Sequence, residues 1–340
     1  MTKLKLGVIG AGNFFLKRYF EEIKKEKRVS LVCICRTDRK NLHKVGNITK
    51  VKNLYTSSKA MLRNEKLDFV LITSPHSKHY DHIVEALENN VNVLVEKPLV
   101  TSSLEKNRIK KIINNSKKKV ISIYNPPYEP HFNEVQKYVN DKNFGTLEYI
   151  NIFWSDNKKE FFFKKKINNF KNILSKNFRS INNNIDGSIL YDSAAHLVAE
   201  LLWISKKLPI TVHASADKKI KPLKITISFN FPKKLIANIF IVGDSKLKKR
   251  KFESTYWSQS KKITVNGKPT KITIDDFITN TFIIKKKFNL VRNPINEMVD
   301  YLLINKKPKL NINTSLQIVS ILNSIEKSIE TNKVTKIKYE

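Results

Sequence analysis

Two groups of residues have the types and spacing needed to move a proton. Lys97 stands between Glu96 and a proline, directly after the apolar run Asn92 to Val95. Asp192 precedes His196 by four residues in a helical pattern, so the two side chains share a face and the carboxylate can orient or charge the imidazole. Hydride transfer from an alcohol leaves a hydroxyl proton, which His196 or a Lys97 of lowered pKa is suited to accept. A structural ion pair is the alternative for Asp192 and His196.

A glycine turn follows the first apolar run of the chain and opens a helical pattern. Gly10 permits a tight turn, and Gly12 lets the backbone approach a pyrophosphate that the helix N-terminus attracts. Asn13 and Phe14 complete this candidate nucleotide-binding turn. Such turns have Gly or Ala in the third position, whereas this chain has Phe15, which is expected to push helix and strand apart or to change how the helix starts. A purely structural glycine turn is the alternative.

The end of the second apolar run bears on the type of cofactor. NAD-binding domains place an acidic residue about 20 residues beyond the glycine turn, on the ribose hydroxyls. Here the run Leu31 to Cys35 leads into Arg36 and Thr37. An arginine suits a 2′-phosphate, and a charge-assisted hydrogen bond of about 1.5 to 3 kcal/mol favours NADP(H) over NAD(H) by roughly 10- to 100-fold. A solvated loop cation is the alternative for Arg36.

The elements around these residues predict an α/β domain followed by an α+β domain. In the first part, short buried runs alternate with amphipathic helical stretches, which is typical of a doubly wound parallel sheet. The runs are Leu4 to Ile9, Leu31 to Cys35, Phe69 to Thr73, Asn92 to Val95 and Val120 to Tyr124. Later period-two runs such as Ile225 to Phe231 predict a mainly antiparallel sheet with one covered face. The sequence Asn-Pro-Pro at 125–127 continues neither a strand nor a helix well, so we place the domain boundary there, with domains at 1–124 and 125–340.

Six motifs in this order resemble the Gfo/Idh/MocA family, which includes glucose-fructose oxidoreductase and inositol dehydrogenase. Beyond the glycine turn and Glu-Lys-Pro, they are Thr73-Ser-Pro75 with His79, Tyr128-Glu-Pro130, Phe144-Gly145 and Asp192-Ser-Ala-Ala-His196. The resemblance extends over nearly the whole chain. It implies a Rossmann domain and an open-faced sheet used in oligomerisation. It also implies a nicotinamide cofactor and a sugar, sugar derivative or cyclic polyol as substrate.

The resemblance also implies roles for single residues. It places Lys97 near the substrate hydroxyl and the nicotinamide, and it matches Asp192 and His196 to the Asp-x-Gly-x-His motif of the family. To the cofactor site it adds Ser74, Pro75, His79 and Glu96. A non-catalytic member that binds dinucleotide or sugar as a sensor is the alternative function.

The chain departs from the family pattern at three positions. Phe15 replaces the small third residue of the glycine turn, and Ala194 replaces the glycine of Asp-x-Gly-x-His. Pro127 stands where many members have arginine, which alters the expected substrate pocket. The particular substrate therefore does not follow from the resemblance.

The strong positive charge bears on the choice of partner. The chain has 64 Lys and Arg against 30 Asp and Glu, a net charge of +34, which attracts nucleic acid, anionic membranes or anionic metabolites. Only nine of these cations are arginine, the residue favoured for phosphate recognition, so we attribute the excess to amino-acid usage. We expect a small-molecule substrate and no nucleic-acid partner. The segment 156–186, with interleaved Phe and Lys at 161–166, predicts a substrate loop or subunit contact, with single-stranded nucleic acid as the alternative.

Three further patterns concern location, assembly and metals. Cys33 and Cys35 lie in a buried run and are expected to be reduced. No apolar stretch approaches the roughly 20 residues needed to cross a bilayer, so a cytoplasmic protein without a membrane partner is expected. The resemblance implies a homodimer or homotetramer. His76, His79 and His82 recur every three residues, but on a helix the outer pair diverges by about 120°, so no metal site is predicted.

Overall fold

The computed structural model describes residues 2–157, 186, 188–220, 222–247, 250–267, 270–289, 291 and 293–339. These residues divide into two units. The first unit takes in residues 2–123, 186 and 293–319, and the second takes in the other described residues. The division after residue 123 lies one residue from the predicted boundary, but residues 293–319, which the sequence analysis assigns to the second domain, belong to the first unit. Most of the predicted substrate loop, residues 158–185, lies outside the described residues.

A parallel sheet forms the centre of the first unit, as predicted. Its strands are β1 (Leu4–Ile9), β2 (Val29–Cys35), β3 (Asn53–Tyr55), β4 (Phe69–Ile72), β5 (Asn92–Glu96) and β6 (Val120–Ile123). They pair in the order β3-β2-β1-β4-β5-β6, every pair parallel. The order reverses between β1 and β4, and ligands of such sheets bind outside the carboxyl ends of the strands at that point.

Helices connect and cover the strands of both units. They are α1 (residues 13–25, in three segments, Asn13–Phe15, Leu16–Phe20 and Glu21–Lys25), α2 (Arg39–Thr49), α3 (Ser58–Asn64), α4 (His79–Glu88), α5 (Ser103–Asn115), α6 (Pro130–Val139), α7 (Leu190–Ala194 continued by Ala195–Ser205), α8 (Pro294–Ile304) and α9 (Ile312–Thr331). A capping box starts α5, where Glu105 N–H donates to the Ser102 hydroxyl and Ser102 N–H donates to the Glu105 carboxylate. Within the described ranges, no helix combines the length and hydropathy needed to cross a membrane.

The core of the first unit explains why residues 293–319 belong to it. Leu316 and Val319 of α9 are buried in the same apolar cluster as Val70 of β4 and Val93 of β5. Continuous apolar runs such as Phe69–Ile72 are completely buried, which is typical of central strands in a parallel sheet covered on both faces. A sequence pattern shows that α9 has an apolar face but not which sheet that face covers.

An ion-pair network holds α8 against the start of β2. Arg28 Nη2 lies 2.7 Å from Glu26 Oε2, and Arg28 Nη1 lies 3.0 Å from Asp300 Oδ1. Both carboxylates are buried, whereas the arginine side chain is 38% exposed. The hydrogen bonds from Arg28 lower the pKa of Glu26 to about 2.

We expect Arg28→Met to lower the free energy of unfolding by about 2 kcal/mol near neutral pH, because two buried carboxylates lose their counterion. Partial exposure of the guanidinium keeps this cost below that of a fully buried pair. The folded pKa of Glu26 lies below its ordinary value of 4.5, so the stability it contributes is present above that value and is lost as the pH falls toward 2. The difference between wild type and variant should therefore shrink over this window.

Urea unfolding at several pH values measures this effect. Arg39→Met is the matched control, because Arg39 is exposed at the start of α2. Equal unfolding midpoints for wild type and Arg28→Met at neutral pH would contradict the assigned role of Arg28.

The second unit contains a large sheet that is mainly antiparallel, as predicted. Its strands are β7 (Tyr149–Ser155), β8 (Thr211–Ala216), β9 (Lys224–Asn230), β10 (Ile236–Val242), β11 (Lys251–Trp257), β12 (Lys261–Asn266), β13 (Lys271–Asp276), β14 (Thr281–Lys285) and β15 (Thr335–Lys336). The order is β14-β13-β12-β11-β7-β10-β9-β8-β15, and β7 pairs with β10 in parallel. Buried and exposed residues alternate along β9 and β10, so one face is covered. Two hydrogen bonds identify that cover: Tyr256 hydroxyl to Glu200 of α7, and Ala214 N–H to Ser328 of α9.

Candidate functional site

The glycine turn lies at the carboxyl end of β1, beside the end of β4, where the strand order reverses. Gly10 has φ +85°, and a Cβ at this position would lie 2.4 Å from the backbone nitrogen of Ser74. The N–H groups of Gly10 and Ala11 both donate to the Cys35 carbonyl at 3.0 Å. The Thr73 hydroxyl donates to the Gly10 carbonyl, also at 3.0 Å. The ends of three strands therefore fix a turn that only glycine can make at position 10.

Gly12 is the residue at which α1 begins. Its carbonyl accepts the Leu16 N–H at 3.1 Å, and no described side chain caps this end of the helix. Asn13 is half-buried and Phe14 is exposed at the same turn. An uncapped helix start beside a glycine turn is the arrangement to which a pyrophosphate binds. The backbone of this turn thus fits a dinucleotide.

Arg36 follows β2, and its guanidinium lies on the glycine turn. Nη1 is 3.5 Å from the Ala11 carbonyl and 2.8 Å from where a Gly12 Cβ would be. Its Nε is buried without a hydrogen-bond partner among the described residues. The next carboxylate along the chain, Asp38, instead caps α2 by accepting from Asn41 N–H at 3.0 Å and from Asn41 Nδ2 at 2.6 Å. A ligand at this side of the glycine turn would therefore meet the Arg36 guanidinium, whereas the Asp38 carboxylate is already engaged as a helix cap.

Phe15 is fully buried, and the winding of α1 changes directly after it. The segment Leu16–Phe20 is π-helical between two α-helical segments. Phe15, Tyr19 and Ile23 are all buried. Their spacing of four exceeds the 3.6 residues of an α-helical turn, and the wider π-helical turn keeps them on one face. The first bond of α1, from Leu16 N–H to the Gly12 carbonyl, is α-helical, and the winding changes only after Phe15.

Glu96 at the end of β5 is held from two directions. The Tyr19 hydroxyl donates to Glu96 Oε1, and the backbone N–H of Lys97 donates to Glu96 Oε2 at 3.1 Å. All three residues are buried, and Lys97 is only 4% exposed. Burial raises the pKa of Glu96, which the charges of Lys97 and Arg18 and the Tyr19 hydrogen bond oppose. Burial also raises the pKa of Tyr19 well above its ordinary value, so the phenol keeps its proton and remains a donor.

His79 joins the segment after β4 to the segment after β5. Its Nδ1 lies 2.7 Å from the Pro98 carbonyl and its Nε2 lies 3.1 Å from the Ser74 carbonyl. The ring is fully buried, and burial lowers the pKa of His79 to about 4, so the imidazole is neutral near pH 7. The family resemblance implies a cofactor contact for this ring, whereas its two nitrogens face main-chain carbonyls.

The three regularly spaced histidines have different surroundings. His82 Nδ1 lies 2.9 Å from the Ser74 hydroxyl, and the rings of His76 and His79 meet edge to face at 5.6 Å. In the part of the chain that the structure describes, no group of three or more His, Cys, Asp or Glu residues is arranged to hold a metal ion.

Asp186 makes a contact that the sequence analysis did not predict. Its Oδ1 accepts the Ser77 N–H at 3.1 Å and its Oδ2 accepts the Ser77 hydroxyl at 2.6 Å. The carboxylate is buried and fixes the turn that leads into α4. The two residues are 109 positions apart, so no local signal in the sequence connects them.

The predicted proton-transfer residues are divided between the two units. Lys97 belongs to the first unit, with the glycine turn, and Asp192 and His196 belong to the second. Asp192 is buried in the π-helical segment of α7, where its N–H donates to the Ser188 carbonyl at 2.9 Å. His196 is half-buried in the α-helical segment that follows.

The predicted cofactor residues lie at the ends of β1, β2, β4 and β5, within the first unit. Those with exposed side chains are Phe14, Thr37 and Pro75. Those that are half-buried are Gly12, Asn13 and Arg36, with Gly10. Those that are buried are Ser74, His79, Glu96 and Lys97.

Comparison with known proteins identifies this unit. Residues 4–124 match the Gfo/Idh/MocA family model, described as "Oxidoreductase family, NAD-binding Rossmann fold". These residues are similar to the NAD-binding Rossmann domain of the Gfo/Idh/MocA oxidoreductases. The resemblance predicted from the motifs is thus confirmed, and the glycine turn described above is part of an NAD(P)-binding Rossmann domain.

Individual relatives support the fold of the whole chain. Oxidoreductase P35 of Formosa agariphila is 27% identical over 119 residues, which are 35% of this chain and 37% of that protein, so the chain spans little more than a third of this relative. An oxidoreductase from Agrobacterium radiobacter, solved with NAD⁺, L-tartaric acid and magnesium, has a TM-score of 0.80 at 16% identity, covering 98% of each chain. Myo-inositol 2-dehydrogenase from Lactobacillus plantarum has a TM-score of 0.75 at 16% identity, covering 99% of this chain and 100% of that one. At these identities the likeness establishes the fold.

Proposed function

We propose that this chain is an NADP(H)-preferring oxidoreductase that moves a hydride between the nicotinamide and a sugar, sugar derivative or cyclic polyol. The observation that carries the proposal is the buried Lys97 at the end of β5. Lys97 directly follows Glu96, whose carboxylate accepts a hydrogen bond from Tyr19. Both lie in the unit that contains the glycine turn, which is placed where the strand order reverses. Lysine is rarely buried unless it is paired, and the carboxyl ends of parallel strands are where open α/β sheets bind their ligands. The likeness to myo-inositol 2-dehydrogenase supports the substrate class.

The cofactor contacts in this proposal come from four strand ends. Gly10 and Gly12 receive the pyrophosphate, with Asn13 and Phe14 beside it, and Ser74 and Pro75 line the end of β4. Arg36 and Thr37 face the ribose, where the Arg36 guanidinium binds a 2′-phosphate. Support for NADP(H) comes from the unpartnered Nε of Arg36 and from the use of Asp38 as a helix cap. When bound, the nicotinamide supplies or accepts the hydride.

The protein contributes the proton transfer. Lys97 binds the substrate hydroxyl, and either Lys97 in its uncharged amine form or neutral His196 accepts the hydroxyl proton as the carbon loses the hydride. Asp192 orients His196 and stabilises its charged form. In the reverse direction the same groups return the proton to the alkoxide.

A panel of aldoses, acidic sugars and cyclic polyols including myo-inositol tests the proposal. Reduction of NADP⁺ or NAD⁺ is followed at the nicotinamide absorbance, and oxidation of NADPH is followed with the matching ketoses. Turnover that requires Lys97 supports the proposal. Cofactor binding without turnover across the panel would favour the non-catalytic sensor instead.

A further inference from the structure

Tyr19 connects the helix of the glycine turn with the Glu-Lys-Pro segment. Its hydroxyl donates to Glu96 Oε1, and the second oxygen of the same carboxylate accepts the Lys97 N–H at 3.1 Å. Both carboxylate oxygens are therefore engaged, one by a side chain of α1 and the other by the backbone of the residue assigned to catalysis.

The π-helical segment of α1 brings Tyr19 to this place. Tyr19 lies in Leu16–Phe20 and is fully buried on the stripe that it shares with Phe15. Its ring meets Phe14 edge to face at 6.0 Å, and the Arg18 guanidinium lies 5.6 Å from its centre. One end of Tyr19 therefore touches an exposed residue of the glycine turn, and the other end holds Glu96.

We propose that Tyr19 is a positioning residue for Lys97. The Tyr19 hydroxyl fixes the Glu96 carboxylate, and the carboxylate fixes the backbone N–H of Lys97. The position of the Lys97 backbone, and with it the origin of the lysine side chain, is therefore set at the carboxyl end of β5. This inference rests on the proposed function of Lys97. Burial raises the pKa of Glu96, and four interactions oppose it: the charge of Lys97, the Tyr19 hydroxyl, the Lys97 backbone N–H and the charge of Arg18. Loss of the phenol removes one of these and loosens the link to Lys97.

Tyr19→Phe tests the inference, because it removes the hydroxyl and keeps the ring. Hydrogen–deuterium exchange of the ligand-free protein, read by mass spectrometry on peptides that cover residues 96–101, reports on the Lys97 N–H. Residue 98 is proline and adds no amide signal. We expect about tenfold faster exchange in Tyr19→Phe, because a Glu96 carboxylate without the phenol no longer holds the Lys97 N–H in place. We also expect kcat with the best substrate of the panel to fall about tenfold, with KM and the NADPH dissociation constant unchanged.

Tyr256→Phe is the matched control. Tyr256 is also fully buried, and its hydroxyl donates to the buried Glu200 at 2.6 Å, within the second unit. Each variant removes one buried tyrosine–glutamate hydrogen bond, so similar losses of melting temperature are expected. Only Tyr19→Phe should change the exchange of residues 96–101 and the value of kcat.

Wild-type exchange of residues 96–101 in Tyr19→Phe overturns the inference, and so does faster exchange with an unchanged kcat. If Tyr19→Phe does not fold, Glu96→Gln takes its place. A glutamine accepts from Tyr19 through its oxygen, but its amide nitrogen cannot accept from the Lys97 N–H, so the same faster exchange is expected. Wild-type exchange in Glu96→Gln overturns the inference equally. Failure of the proposed function is visible separately, as wild-type turnover in a Lys97→Ala variant.

Discussion

Replacing Lys97 with alanine is expected to lower turnover by about 100- to 10,000-fold, the range over which a positioned proton-transfer group contributes. NADPH binding should persist, because the glycine turn is held by the Cys35 carbonyl and the Thr73 hydroxyl and not by the Lys97 side chain. The expected result is thus a large fall in kcat with the cofactor dissociation constant nearly unchanged. Steady-state kinetics and NADPH fluorescence measure the two quantities.

Two further variants separate chemistry from packing at this position. Lys97 is 4% exposed, so alanine also removes buried side-chain volume. Lys97→Met keeps the aliphatic chain and removes the amine, and it should be as inactive as Lys97→Ala while melting closer to wild type. Lys59→Ala, at an exposed site in α3, should have wild-type turnover. Turnover in Lys97→Met close to that of wild type would contradict the role assigned to the amine.

Arg36→Asp is expected to reverse the choice of cofactor. The variant loses the guanidinium proposed to bind the 2′-phosphate, which costs about 10- to 100-fold in NADPH affinity, and it adds a charge that repels the phosphate. It also introduces the acidic side chain that NAD-binding domains place on the ribose hydroxyls, so NADH binding should be kept or improved. Fluorescence titrations with NADPH and NADH give the ratio of the two dissociation constants.

Arg39→Asp controls for long-range attraction in this experiment. Arg39 lies three residues further on, is exposed at the start of α2, and changes the net charge of +34 by the same amount. It should lower both affinities slightly and leave their ratio unchanged. An Arg36→Asp variant with the wild-type ratio would refute the assignment of Arg36 to the 2′-phosphate.

The strands that position the glycine turn could be predicted from the sequence because each is an unbroken run of mainly apolar residues. Phe69–Ile72 is buried along its whole length, and such a run has few alternatives to a central parallel strand. The predicted strands β1, β2, β4, β5 and β6 are all present, with ends that differ by at most two residues. β3 was not predicted, because it has only three residues and none of them is buried.

Three strands of the second sheet were not predicted: β11, β14 and the two-residue β15. The buried positions of β11 include Ser254 and Tyr256, both of which carry hydroxyls, so its inward face lacks the apolar alternation that marks a strand. β14 lies at the edge of the sheet, and four of its five residues, Thr281 to Ile284, are exposed, so buried and exposed positions do not alternate along it. The strand conformation of β11 and β14 depends on pairing with neighbouring strands, and the pattern of residues within one strand does not reveal that pairing.

The candidate site was predicted at the level of motifs but not of contacts. Motifs located Gly10, Arg36 and Lys97, each next to a strand end. Tyr19 was not predicted, because its partner Glu96 lies 77 positions away and a tyrosine on a buried helical stripe is an ordinary core residue. For Phe15, two alternatives were predicted: separation of the helix from the strand, or a change in how the helix starts. Their free-energy costs depend on the side chains that pack around Phe15, and those are known only from the structure.

The central claim, that this chain binds NADP(H) in preference to NAD(H), is tested most directly by fluorescence titration of the purified wild-type protein with NADPH and NADH. Denatured protein is first checked for nucleotide that was already bound. The geometry of the glycine turn and of Arg36 predicts saturable binding of both, with NADPH tighter by about 10- to 100-fold. Binding of neither nucleotide, with none released on denaturation, or tighter binding of NADH, would contradict it.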